Sequence, residues 1–118
     1  MIFIRGAITA KENTKEEILN QTEKLLYEVI KKNDLKISDI LSIFFTATKD
    51  LDMAYPAVAA RKIGITEAAL MCFQEMYVVG SLEKCIRCTV ICENEEAQAQ
   101  AQHVYLEKAE VLRPDLKD

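Results

Sequence analysis

One stretch of helical periodicity sets the terms on which this chain can fold. Ile18, Leu25, Leu26, Val29 and Ile30 fall on a single stripe, with Glu16, Lys24, Glu28 and Lys31 off it. Thr14 and Glu17 stand at capping-box spacing, so the helix is expected to begin there and to end near Lys32 to Asp34. A helix with one apolar stripe covers one face of something, and the rest of the chain offers strands. IFIRGAITA reads as a strand that runs out at Gly6, and ILSIFFTAT (residues 40 to 48) as a buried strand followed by a KDLD turn. A third strand is expected from about Ala68 to Met76 and a fourth from Glu83 to Ile91, with VVGS between them as the turn of a hairpin. AEVLR, before Pro114, is expected to be the fifth. Pro56 and Gly64 bracket a short helix over AVAARKI, and Asn94 can cap another through EEAQAQAQ. A five-stranded sheet has two faces, and one long helix with two short ones cannot cover both. The remaining apolar face is expected to be buried by another subunit.

Several classes of partner are excluded at this level. A net charge of -4 with no basic stripe argues against nucleic acid. No apolar run reaches the roughly 18 residues of a membrane span, and Met1 leads into IFIRGAIT without a signal-peptide pattern, so a cytosolic (cytoplasmic) location is expected. The 118 residues, about half apolar, are the size of one domain, 1–118, with one core.

The stretch CFQEMYVVGSLEKCIRCTV, residues 72 to 90, sets a carboxylate, a thiol and an arginine in apolar, strand-like surroundings. Glu75 or Arg87 lowered into such a setting needs a mutual partner or a charged ligand to offset the lost hydration. Cys85 and Cys88 have a metal-ligand spacing, but strand alternation would send Cys85 to one face and Cys88 with Cys92 to the other. Cys85, Cys88 and Cys92 are therefore read as small hydrophobes in a reducing compartment, and no metal site is expected.

Four arginines stand against eleven lysines, and Arg5, Arg87 and Arg113 fall in strand-like runs whereas Arg61 lies in the short helix. The arginine fork suits partly buried recognition of carboxylates, although spacing alone leaves pairing with Glu or Asp of the same sheet equally open. No nucleophile motif or phosphate loop occurs, and the one histidine, His103, reads as a packing or surface residue. Cations, a carboxylate and a thiol without an evident base can bind a dicarboxylate and stabilise charge in it.

IRGA (4 to 7), YPAVAAR (55 to 61), CFQEM (72 to 76), KCIR (84 to 87) and HVYLEKAEVLRPDL (103 to 116) together resemble the monofunctional chorismate mutases of the AroH class over nearly the whole chain. The resemblance implies an α+β fold: a mixed five-stranded β-sheet with one long helix and short helices, three subunits closing a pseudo-α/β barrel, and sites at the interfaces of the homotrimer. It implies a cofactor-free pericyclic rearrangement of chorismate to prephenate, which needs no general base. Carried over by motif, Arg5 and Tyr105 would hold the carboxylate of the enolpyruvyl side chain, and Arg87 would face its ether oxygen. Glu75 and Cys72 would bond the ring hydroxyl. Arg61 and Arg113 would be outer cations, and Tyr55, Ala57, Leu70, Met71 and Leu112 would line the apolar wall.

The chain departs from the family pattern at Val58, where a lysine is usual, at Met71 in place of a threonine, and at Tyr55 in place of phenylalanine. The loss of polar groups at 58 and 71 motivates an alternative, a non-catalytic trimer that binds a small dicarboxylate. The chain ends at Asp118, soon after LRPDL, so any tail that closes over the site would be short.

Overall fold

The structure is a computed structural model that describes residues 1–113; the chain from Pro114 onward, with the expected tail, lies outside the described residues. Five strands form one mixed sheet: β1 (Ile2–Thr9), β2 (Ile40–Ala47), β3 (Ala69–Gln74), β4 (Cys85–Cys92) and β5 (Val104–Tyr105). Their order across the sheet is β3-β2-β4-β1-β5. β4 runs antiparallel to both its neighbours, while β2 with β3 and β1 with β5 are parallel. The fold is α+β, as the resemblance implied.

The long helix α1 (Lys15–Lys32) lies over one face. Thr14 accepts from the backbone N–H of Glu17 at 3.1 Å, but the Glu17 carboxylate turns outward to the N–H of Lys11 at 2.7 Å, so the capping box closes on one side only. At the other end Asp34 takes a φ of 50°, which lets Leu35 donate to Ile30 and Asp34 to Lys31. The second helix, α2 (Pro56–Lys62), starts on Pro56 and stops the same way: Gly64 at φ 100° lets Ile65 donate to Ala60. Ile18, Leu25, Leu26 and Val29 meet Ile4, Ile8, Ile43, Phe45, Ile86 and Val90 in the core between α1 and the sheet.

Several expectations fail for identifiable reasons. β1 continues through Gly6 to Thr9, with Gly6 paired to Cys88 and Val104, and the glycine serves close approach instead of a turn: a Cβ there would stand 3.1 Å from Leu25 Cδ1 and 3.2 Å from Cys88 Sγ. VVGS does turn, with Ser81 donating to Val78, yet β3 and β4 form no hairpin. β2 lies between them, and β3 follows β2 in parallel through the α2 crossover. EEAQAQAQ does not form the expected helix and makes only a 3-10 turn at Gln98–Gln100. AEVLR is also not a strand. Glu107 at φ 54° breaks the extension after β5, and Glu107–Leu112 coil into a 3-10 segment, so Arg113 follows that segment.

The other face of the sheet is open. Register places Phe3, Phe44, Met71 and Phe73 on the side away from α1, each between 40% and 52% exposed. The Phe44 and Phe73 rings meet edge to face at 6.0 Å. At one end of this face Ala7, Cys85 and Ala109 form a small second core, with Tyr105 and Leu112 packed on it. Cys85 thus lies opposite Cys88 and Cys92, as alternation required. Among the described residues no helix is long and apolar enough to cross a membrane.

Candidate active site

The open face collects the charged groups because strand alternation brings them there from neighbouring strands. Arg87 on β4 stands beside Ala7 of β1 on one side and Thr46 of β2 on the other, while Arg5 is two residues away from Ala7 along β1. Glu75, one residue past β3, stays in line with the sheet because its N–H donates to Ala47 at 2.9 Å. The Arg87 guanidinium donates to Glu75 Oε2 at 3.1 Å, and Thr46 Oγ1 donates to Glu75 Oε1. Their side chains are partly sheltered, 36% exposed for Arg87 and 20% for Glu75. Both carboxylate oxygens are therefore engaged, and the fork of Arg87 is held near a fixed position.

Arg5, Glu75, Arg87 and Tyr105 line one cleft of about 230 Å³ together with Thr46, Phe44 and Thr89. Tyr105 reaches it from β5, which pairs with β1. The arrangement presents two cations, one carboxylate and a phenol to a shared space.

The remaining expected site residues stand apart. Tyr55 and Cys72 line a second cleft of about 600 Å³ with Val58, Lys49 and Lys15, and Thr46 borders both. Cys72 and Leu70 are half-buried against the main core, and Met71 points to the open face. Ala57 is buried in the main core. Arg61 is exposed on α2. Leu112 packs against the second core, and Arg113 bears electrostatically on His103. Within one chain Arg5, Glu75, Arg87 and Tyr105 thus share one cleft, Tyr55 and Cys72 line the other, and the remaining expected residues line neither.

Thr46 was not anticipated. Its signal was a polar residue on the alternation of an apolar strand, two residues from Phe44. His103 was expected to be a packing or surface residue, and its Nδ1 accepts the backbone N–H of Arg5 at 2.9 Å.

The other thiols are buried, with Cys88 at the floor of the Arg87 cleft. Burial pushes Cys88 up to about 12 and Cys85 and Cys92 to about 11, so all three stay protonated. Among the described residues no group of three or more His, Cys, Asp or Glu side chains is placed to hold a metal ion.

Comparison with known proteins covers nearly the whole chain. A family model described as chorismate mutase type I matches residues 1–116. Chorismate mutase AroH of Bacillus subtilis is 45% identical over 114 residues, 96% of this chain and 90% of that protein. The Thermus thermophilus protein of the same name is 40% identical over 115 residues, 97% and 94% of the two chains. Among solved structures, a chorismate mutase from Clostridium thermocellum superposes with a TM-score of 0.90 at 51% identity, covering 92% of this chain and 97% of that one.

Proposed function

Because this chain belongs to the type I chorismate mutase family and is an isomerase acting on chorismate, we propose that the Arg87 cleft is where the rearrangement occurs. The observation that carries the proposal is the Arg87–Glu75 pair at 3.1 Å on the wall shared with Arg5 and Tyr105.

In the rearrangement one carbon–oxygen bond breaks as a carbon–carbon bond forms, and negative charge gathers on the departing ether oxygen. Arg87 faces that oxygen. A cation fixed in place before reaction stabilises this charge more in the transition state than in the ground state. Arg5 and Tyr105 hold the carboxylate of the enolpyruvyl side chain. Glu75 bonds the ring hydroxyl and opposes the partial positive charge left on the ring, and Cys72 assists at the same hydroxyl. Holding both halves of a flexible dianion removes orientational freedom before the chemical step. No residue takes a proton or forms a bond, and no cofactor is needed.

The working unit in this proposal is a homotrimer of single-domain chains, 1–118, acting in the cytosol. Two features support it. The open face carries Phe3, Phe44, Met71 and Phe73, which a second copy would cover. The expected wall residues Tyr55 and Cys72 line a different cleft from Arg87 in one chain, so a neighbouring copy could supply what each cleft lacks. Arg61, Arg113, Leu70, Met71, Ala57 and Leu112 would then form the outer rim and apolar wall. The non-catalytic binding trimer is not favoured, since the named relatives are the enzyme.

The test is the loss of chorismate's ultraviolet absorbance, run on the parent and Arg87→Ala, with molecular mass measured in parallel. The variant should lose about 3 kcal/mol or more of transition-state stabilisation, by analogy with deleting an oxyanion-hole donor. Arg87→Lys should recover a part, because it restores charge without the fork. Near-parental turnover in Arg87→Ala would remove the electrostatic assignment, and an active monomer would remove the trimer.

A further inference from the structure

β1 is an inner strand along only part of its length. Its outer neighbour β5 has two residues, with Gly6 paired to Val104 and Ala7 to Tyr105, and Leu106 donates to Ala7 at 2.9 Å. Toward its start, the chain that should continue β5 bends away, and side chains take over the pairing. The Gln98 amide accepts from Phe3 N–H at 2.9 Å and donates to Phe3 C=O at 2.7 Å. His103 Nδ1 accepts the N–H of Arg5. The residue before the histidine is itself clamped: the Asn33 side chain at the end of α1 accepts from Gln102 N–H at 2.8 Å and donates to Gln102 C=O at 3.0 Å. The imidazole is thus anchored through a helix terminus on one side and bonds, on the other, the backbone of an arginine whose side chain lines the Arg87 cleft.

We propose that His103 is the positioning residue for Arg5: its neutral Nδ1 fixes the Arg5 backbone so that the guanidinium enters the cleft at the substrate carboxylate. The inference rests on the reading that Arg5 binds that carboxylate. An Nδ1 that accepts leaves the ring proton on Nε2. The charged groups bearing on the ring are Arg5 from β1 and Arg113 beyond the Glu107–Leu112 segment. Burial, followed by these two cations, holds the imidazole below its ordinary value of 6.5. The sign follows directly. At neutral pH the ring accepts and Arg5 is held. As pH falls through the lowered value, a proton arrives on Nδ1 opposite an N–H donor, the bond is lost, and substrate affinity falls. Unfolded chains take up this proton at higher pH than folded ones, so stability also begins to decline as pH drops below about 6.5.

The experiment is steady-state kinetics across pH about 5 to 8, the range in which histidine titrates, on the parent, His103→Asn, His103→Leu and Arg5→Ala. Asparagine can offer an acceptor oxygen near the place of Nδ1 and does not titrate. His103→Asn should keep KM within about threefold at neutral pH and lose the acid rise in KM that the parent shows. His103→Leu should raise KM at neutral pH about fivefold or more, the cost of one unmade hydrogen bond, with a smaller change in kcat. Superimposable pH profiles for the parent and His103→Asn would overturn the proposal, whether or not His103→Leu folds. If Arg5→Ala keeps the parental KM, it is the reading of Arg5 that fails. If Arg5→Ala loses affinity while His103→Leu keeps it, the positioning role alone fails.

Discussion

Replacing Thr46 by valine should impair catalysis without touching any group that is charged. Thr46 and valine have nearly the same shape, so β2 and the pocket wall are kept and only the hydroxyl that donates to Glu75 Oε1 is removed. A hydrogen bond to a charged partner contributes about 1.5 to 3 kcal/mol. Because the Glu75 side chain is 20% exposed, water can replace part of what is lost, and about 1 to 2 kcal/mol remains. The consequence is mechanical as well as energetic. With Oε1 released, the carboxylate can rotate about its last bond, and the Oε2 contact that steadies Arg87 at 3.1 Å loosens with it. We therefore expect kcat/KM to fall about 5- to 30-fold, most of it in kcat, since Arg87 acts on charge that appears only in the transition state. Thr46→Ser, which keeps the hydroxyl, should stay close to the parent. The assay is chorismate consumption followed by ultraviolet absorbance, with urea unfolding on the same samples to separate lost stability from lost chemistry. Parental kcat/KM in Thr46→Val, alongside a collapse in Glu75→Ala, would show that Glu75 is held in place without Thr46 and would refute the argument.

Two further perturbations address the core. Gly6→Ala should destabilise the protein by about 1 to 2 kcal/mol in urea unfolding, because its methyl group meets Leu25 Cδ1 and Cys88 Sγ in a filled interior; an unchanged midpoint would mean that the helix can retreat at no cost. At pH about 8 a thiol reagent should modify Cys72 in the native protein and reach Cys85, Cys88 and Cys92 only after denaturation, since burial holds those three as thiols; rapid native reaction of more than one thiol would contradict their placement.

What the sequence disclosed depended on how local its cause was. The helix α1 was legible because its stripe, its Thr14 cap and its end all lie within a window of some twenty residues. α2 was legible for the same reason, bracketed by Pro56 and Gly64. Strand pairing was not. The turn at Val78–Ser81 exists, but the partner of β3 is decided by which strand occupies the middle of the sheet. β4, apolar on nearly every residue, takes that place between β1 and β2. The last strand was misassigned because AEVLR has strand composition, whereas the left-handed backbone at Glu107 sits just ahead of it and leaves no compositional trace. For the site, Glu75 and Arg87 stood out as charges in apolar, strand-like surroundings, the roles of Arg5 and Tyr105 came from the resemblance, and alternation then accounts for their meeting on one face. Thr46 and His103 escaped because each acts through a bond to a residue tens of positions away, which neither a polar position in an apolar strand nor a lone histidine discloses.

The side-chain pairing along the start of β1 has a consequence of a different kind. A bare strand edge is a template: its regular row of N–H and C=O groups can be copied by any extended chain that drifts against it, which is how sheets grow into aggregates. Here Phe3 is occupied by an amide and Arg5 by an imidazole, groups that come from bent backbone and display no strand of their own. The row stops with them and cannot be read onward by a foreign chain. A protein whose open sheet face already shows phenylalanine rings to its surroundings thereby closes the edge-to-edge route along β1 and leaves association there to face-to-face contact, which the shape of the surface can discriminate.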